Sequence, residues 1–72
     1  MDAEWFSVAA FSEEVEARLL AGRLETEGIE TRLYPEFQGS YYGEAVNLPF
    51  QVLVPRHRVL EARAVLARLA TE

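Results

Sequence analysis

The order of apolar periodicities along this chain predicts an α+β fold. The expected architecture is a ferredoxin-like βαββα domain with a three-stranded sheet in order 1-3-2 and both helices on one face. Three observations lead there. A charged-flanked amphipathic helix stops at a glycine and runs straight into an alternating strand. A later apolar strand ends at a proline and is followed by a second amphipathic stretch. A strand–helix–strand unit requires a right-handed crossover, which makes its two strands parallel, so a returning third strand fits between them.

The first strand is expected over residues 5–10, short and aromatic at its start, with Phe6, Val8 and Ala10 pointing inward. The first helix is expected over 12–27. Ser12 suits its cap, and Glu13 and Glu14 place negative charge where the helix dipole favours it. Ala17, Leu20, Ala21 and Leu24 form its sheet-facing stripe, while Val15, Leu19, Gly22 and Thr26 make a second, weakly apolar one on nearly the opposite side. That second stripe either contacts a partner subunit or packs beside the other helix. Gly28 can take the left-handed conformation that ends a helix. Residues 29–34 then alternate apolar and polar as a half-buried strand does. The third strand is expected over 48–54 and ends at Pro55. The second helix is expected over 56–70, its stripe made by Val59, Ala62, Leu66, Leu69 and Ala70.

Seventy-two residues form a single domain, 1–72, with no internal repeat or linker. A domain of this size buries only ~60% of its extended-chain surface. Its net stability is therefore expected to be on the order of 4–11 kcal/mol. With no cysteine and one histidine, the chain has no disulfide or structural zinc to support it. Association with a second copy or a protein partner is the remaining support. The formal net charge of −5 argues against non-specific binding to nucleic acid or anionic membranes. No apolar run approaches the ~20 residues of a membrane span. No basic-then-apolar leader is visible at the N-terminus, so the expectation is a cytoplasmic protein. Every basic residue except His57 is arginine.

The run from Glu16 to Glu30, EARLLAGRLETEGIE, resembles the helix-then-Gly-Ile signature of the putative prokaryotic signal transducing proteins, small bacterial domains of unknown function. Val52-Leu53-Val54-Pro55 and the following Glu61-Ala62-Arg63-Ala64-Val65-Leu66 fit the same pattern, so the resemblance covers nearly the whole chain. It implies a fold similar to the nitrogen-regulatory PII signal proteins, in which a long loop between the second and third strands meets partners. No catalytic residues are implied. Members usually begin the second helix with acidic residues, where this chain has Arg56-His57-Arg58.

Three sets of residues are candidates for function. The segment 35–47 is long for a hairpin connection and carries Phe37, Tyr41 and Tyr42. Tyrosines bury area at low entropic cost. These side chains either meet a partner or fold back over the end of a thin core. The face of the sheet away from the helices is expected to be open, carrying Trp5, Ser7, Glu30, Arg32, Tyr34, Gln51 and Leu53. Trp5, Tyr34 and Leu53 make it apolar enough for self-association. The first strand, at the sheet edge, offers unpaired backbone groups to the same end. The third set is Arg56, His57 and Arg58, at backbone amides that can hold a phosphate or carboxylate. Either an external anion or a carboxylate such as Glu4, Glu36 or Glu44 offsets that charge.

Enzyme chemistry finds little here. Ser7, Ser12 and Ser40 have only His57 as a base, at no triad-like spacing, and there is no Lys, Cys or phosphate-binding Gly-Lys loop. Trp5 and Tyr34 resemble the sheet aromatics of RNA-binding domains. The acidic balance and lack of a basic groove oppose that reading. The expected function is a non-enzymatic regulatory or protein-interaction module without cofactor or metal, self-associating as a homo-oligomer. The alternative is a small-anion or nucleotide sensor at the start of the second helix.

Overall fold

The structure, a computed structural model, describes residues 4–43 and 47–72. The elements follow as β1 (Trp5–Phe11), α1 (Glu14–Thr26), β2 (Arg32–Tyr34), β3 (Phe50–Pro55) and α2 (Val59–Thr71), with a 3-10 turn at Arg56–Arg58 before α2. The sheet has order β1-β3-β2, and β3 is antiparallel to both neighbours, so β1 and β2 run parallel. This is the expected ferredoxin-like βαββα arrangement.

Registers decide which side chains share a face. Leu53 stands opposite Ser7 on one side and Arg32 on the other, and Gln51 stands between Ala10 and Tyr34. Val52 stands between Ala9 and Leu33 on the alternate face. The register of β1 shifts between Ser7 and Ala9. That bulge inserts one residue and reverses the alternation beyond it. Ala10, expected to point inward, is consequently paired with Gln51 on the face away from the helices.

Both helices lie on the Val52–Val54 face. Ala17, Leu20, Ala21 and Leu24 of α1 and Ala62 and Val65 of α2 are buried with Val52, Val54 and Ile29. Val8, Phe11, Leu33 and Phe50 pack around them. The α1 stripe is the expected one. In α2 the buried positions are Ala62 and Val65, with Val59, Leu66 and Leu69 half-buried and Ala70 exposed. Val65 therefore takes the place that the periodicity assigned to Ala70.

Helix ends show two different solutions. At the α1 C-terminus, Ile29 N–H donates to the Leu24 carbonyl (3.0 Å) and Gly28 N–H to the Glu25 carbonyl (2.9 Å). With Gly28 at φ 84° this is a Schellman closure, and its usual apolar contact is present in the buried pair Leu24 and Ile29. Burying each of those two side chains contributes roughly 1.5–3 kcal/mol. The N-terminus is different. α1 starts at Glu14 rather than residue 12, Glu13 occupies the cap position, and no side chain bonds there. Ser12 is not the cap. Glu14 and Glu16 in the first turn offset the exposed amides through the dipole instead.

Candidate functional site

The connection after β2 shapes the rest of the molecule. Tyr34 begins the turn, the Tyr34–Pro35 bond is cis, and Phe37 N–H donates to the Leu33 carbonyl at 2.7 Å. From that edge of the sheet the chain crosses behind β3 to the opposite edge. There Tyr42 forms an isolated parallel bridge with Phe6 of β1. Ser7 N–H donates to the Tyr42 carbonyl (2.7 Å), and Tyr42 N–H donates to the Trp5 carbonyl (2.8 Å). The segment from Pro35 to Gly43 is thus a strap across the face that the helices leave open.

Aromatic rings hold the strap down. The chain has eight aromatic residues, and six of them form three ring pairs, each joining one sheet residue to one strap residue. Trp5 pairs with Phe37 (centroids 5.7 Å), Phe6 with Tyr42 (5.2 Å) and Tyr34 with Tyr41 (5.2 Å). Offset and tilted pairs at such distances contribute about 0.5–1.5 kcal/mol beyond area burial. The Arg32 guanidinium carbon adds a cation–π contact 4.9 Å from the Trp5 centroid. Arg32 is fixed there by the Thr31 carbonyl (2.9 Å) and the Glu30 carboxylate (2.8 Å).

Three expectations about this face change as a result. Leu53 is 0% exposed, so it offers no surface to a second copy. Trp5 is half-buried under Phe37 rather than bare. The outer edge of β1 is paired at Phe6. Sequence periodicity had no means of bringing a loop across the sheet, because the Trp5–Phe37 and Phe6–Tyr42 pairs join residues far apart in the chain. The aromatics of the loop and those of the sheet, expected as two separate surfaces, are in contact: Trp5–Phe37 and Tyr34–Tyr41 start from the face of Leu53 and Gln51, and Phe6–Tyr42 from the Val54 side at the β1 edge. Tyr34 and Tyr42 remain 38% and 54% exposed, and Leu48 is also exposed. Glu44 and the end of the expected loop around it lie outside the described residues.

Beneath the strap, Gln51 is 2% exposed. Its Oε1 accepts from the Ser7 hydroxyl (2.5 Å) and its Nε2 donates to the Leu48 carbonyl (2.8 Å), tying β1, β3 and the returning chain together. Gly43 marks the close passage of the strap over β1. Its φ is +148°, and a Cβ there would sit 2.9 Å from Ser7 Cβ and 3.2 Å from the Ser7 amide nitrogen and carbonyl oxygen. Neither residue stood out in the sequence. A Gly directly after the Tyr41–Tyr42 pair was the one available signal for the second.

The strap is also tied to α1. Arg18 donates through Nε to Glu14 (2.8 Å) and through Nη2 to Glu36 of the strap. The hydrogen bond to Glu14, and then the charges of Glu36 and Glu14, raise the Arg18 pKa above its ordinary value. The helical Glu14–Arg18 spacing was legible in the sequence, but the link to Glu36 was not. Next to this ion pair a cleft of about 560 Å³ opens between α1 and β2. Arg18, Gly22 and Glu25 line one side, Thr31 and Leu33 the other, with Glu36 and Phe37 at the strap end.

The Arg56-His57-Arg58 set is the 3-10 turn itself. Arg56 N–H donates to the Glu4 carbonyl (2.8 Å) and its Nη1 to the Glu4 carboxylate (3.0 Å). Arg58 Nη2 donates to Glu61 (3.0 Å), and its Nε lies 2.9 Å from the same carboxylate without hydrogen-bond geometry. His57 is exposed. Carboxylates of the chain itself thus stand beside both arginines, Glu4 among the expected ones and Glu61 not. Among the described residues no group of three or more His, Asp or Glu side chains could hold a metal ion. No described helix is long and apolar enough to cross a membrane.

Comparison with known proteins places these features in a family. A family described as putative prokaryotic signal transducing protein has a model that matches residues 5–70, which takes in every element of the fold up to the last residue of α2. No curated protein and no solved structure matches the chain.

Proposed function

We propose that this chain, which belongs to the family of putative prokaryotic signal transducing proteins, acts as a non-enzymatic regulatory module that self-associates and meets protein partners in the cytoplasm. The observation that carries this reading is the exposure of Tyr34 and Tyr42, each held by a ring pair, with Leu48 exposed as well. Tyrosines held by ring pairs on their inner side are already ordered, so burying their outer side against a partner costs little further entropy. The mechanism is non-covalent. The contact surface is the strap rather than the sheet, since Leu53 is 0% exposed. The segment corresponds in position to the partner-contacting loop that the resemblance to PII proteins implies.

Sedimentation velocity up to high micromolar concentration tests the self-association. A wild-type dimer that weakens at least tenfold in Tyr34→Ser and Tyr42→Ser, with folding retained, is the expected result. A wild type that stays monomeric throughout removes this half of the reading. The anion-sensor alternative has less behind it, because Arg56 and Arg58 already hold Glu4 and Glu61.

A further inference from the structure

The cleft between α1 and β2 is within the size range of small-molecule sites, ~300–1,000 Å³. Its charged lining residues are Arg18 and Glu25 of α1, Glu36 of the strap, and Arg32 of β2, whose guanidinium is held by Glu30 and the Thr31 carbonyl. Arg18 and Glu25 stand seven residues apart on α1, on the same side and both lining the cleft. At the helical rise that separates a cation from an anion by ~10 Å along the axis. Both ends are oriented by neighbours. Glu14 fixes the Arg18 guanidinium through Nε, and the buried Thr31 hydroxyl donates to Glu25 Oε2 at 3.1 Å.

Gly22 lies between them and supplies an independent observation. Mid-helix glycine weakens a helix, and here no geometry demands it. Its φ is not positive, and a Cβ built on it would meet nothing within 4 Å. What the missing side chain provides is open backbone at the centre of the cleft wall. Glu36, 63% exposed, occupies Arg18 from the strap side, where water competes with it.

We propose that this cleft binds a short zwitterionic peptide of about three residues, since an extended chain covers ~3.3–3.6 Å per residue, with its carboxylate on Arg18 in place of Glu36 and its ammonium on Glu25. The backbone of such a peptide passes over Gly22, where a side chain would obstruct it. Neither a simple anion nor a simple cation uses both ends of the cleft.

Tri-alanine titrated into the isotope-labelled wild-type protein tests this, followed at the amides of Gly22 and Gln38. Saturable shifts are expected, at least tenfold weaker for N-acetylated and for C-amidated tri-alanine. Arg18→Gln should erase the preference for the free carboxylate, and Glu25→Gln the preference for the free ammonium. Absence of saturable shifts at millimolar peptide, or equal binding of the blocked peptides to the wild type, overturns the proposal. The blocked-peptide comparison needs no variant to fold, and its outcome is independent of the sedimentation result.

Discussion

Tyr42 lies beside Phe6 as a one-residue parallel extension of the sheet, joined by backbone bonds of 2.7 and 2.8 Å on either side and by ring centroids 5.2 Å apart. An edge strand is thereby paired where it begins, and the segment leading to Tyr42 is pulled across the back of β3. Leu53, on that back face of β3, is 0% exposed. The strap is therefore structural on its inner side, whatever its outer side meets.

Leu53→Ala should cost about 2–5 kcal/mol, as for any fully enclosed leucine. Leu19→Ala, at a position 71% exposed on α1, should change stability by less than about 0.5 kcal/mol. Urea denaturation of both variants measures the contrast. Similar small losses would mean that the back of the sheet is open in solution.

Gly43→Ala places a methyl against the Ser7 backbone at a φ that side chains rarely adopt. We expect a loss on the order of 1–3 kcal/mol. Gly39→Ala differs in kind, because its methyl meets only the tip of the Phe37 ring, which can swing aside. That variant should keep most of its stability while changing the fluorescence of Trp5, the single tryptophan. Equal stability losses in the two would contradict the close passage at Ser7.

The two glycines of α1 and its cap should respond with opposite signs. Gly22→Ala enters open space on a helix, so a gain of roughly 0.5–1 kcal/mol is expected. Gly28→Ala forces a side chain into φ 84° at a cost of about 1–2 kcal/mol. Thermal melts of the pair suffice to check the signs.

Gln51→Leu removes the acceptor of the Ser7 hydroxyl and the donor to the Leu48 carbonyl in a buried setting. The expected loss is about 1–3 kcal/mol. Amide exchange adds a positional readout: protection should fall in β3 near Phe50 more than in α2. Uniform loss across the domain would show that the amide does not anchor the returning chain.

Much of the fold was legible because local chemistry and global packing agree. The i, i+3, i+4, i+7 spacing of Ala17, Leu20, Ala21 and Leu24 is the stripe that is buried, and the Gly28–Ile29 stop is the Schellman closure observed. The structure departs from the periodicity where one residue changes phase or a partner lies far away. The bulge after Ser7 moved Ala10 to the other face, and α2 began after a 3-10 turn instead of at residue 56. Of the candidate site residues, the aromatics of the loop were recognised as a group, but their pairing with Trp5, Phe6 and Tyr34 was not.

The amino-acid order alone determined the succession of strands and helices, a parallel strand–helix–strand unit with room for a returning strand between its strands, and the family. Periodicity encodes the elements directly, since each must bury one face, while the family rests on the resemblance of the Glu16–Glu30 run and the matched residues 5–70. Only the tertiary structure decided that the remaining face is closed by residues 35–43, that Leu53 is core, and that Arg18 reaches Glu36. Such long-range pairings depend on where a loop can travel once both sheet edges exist, and no local pattern of side chains records that path.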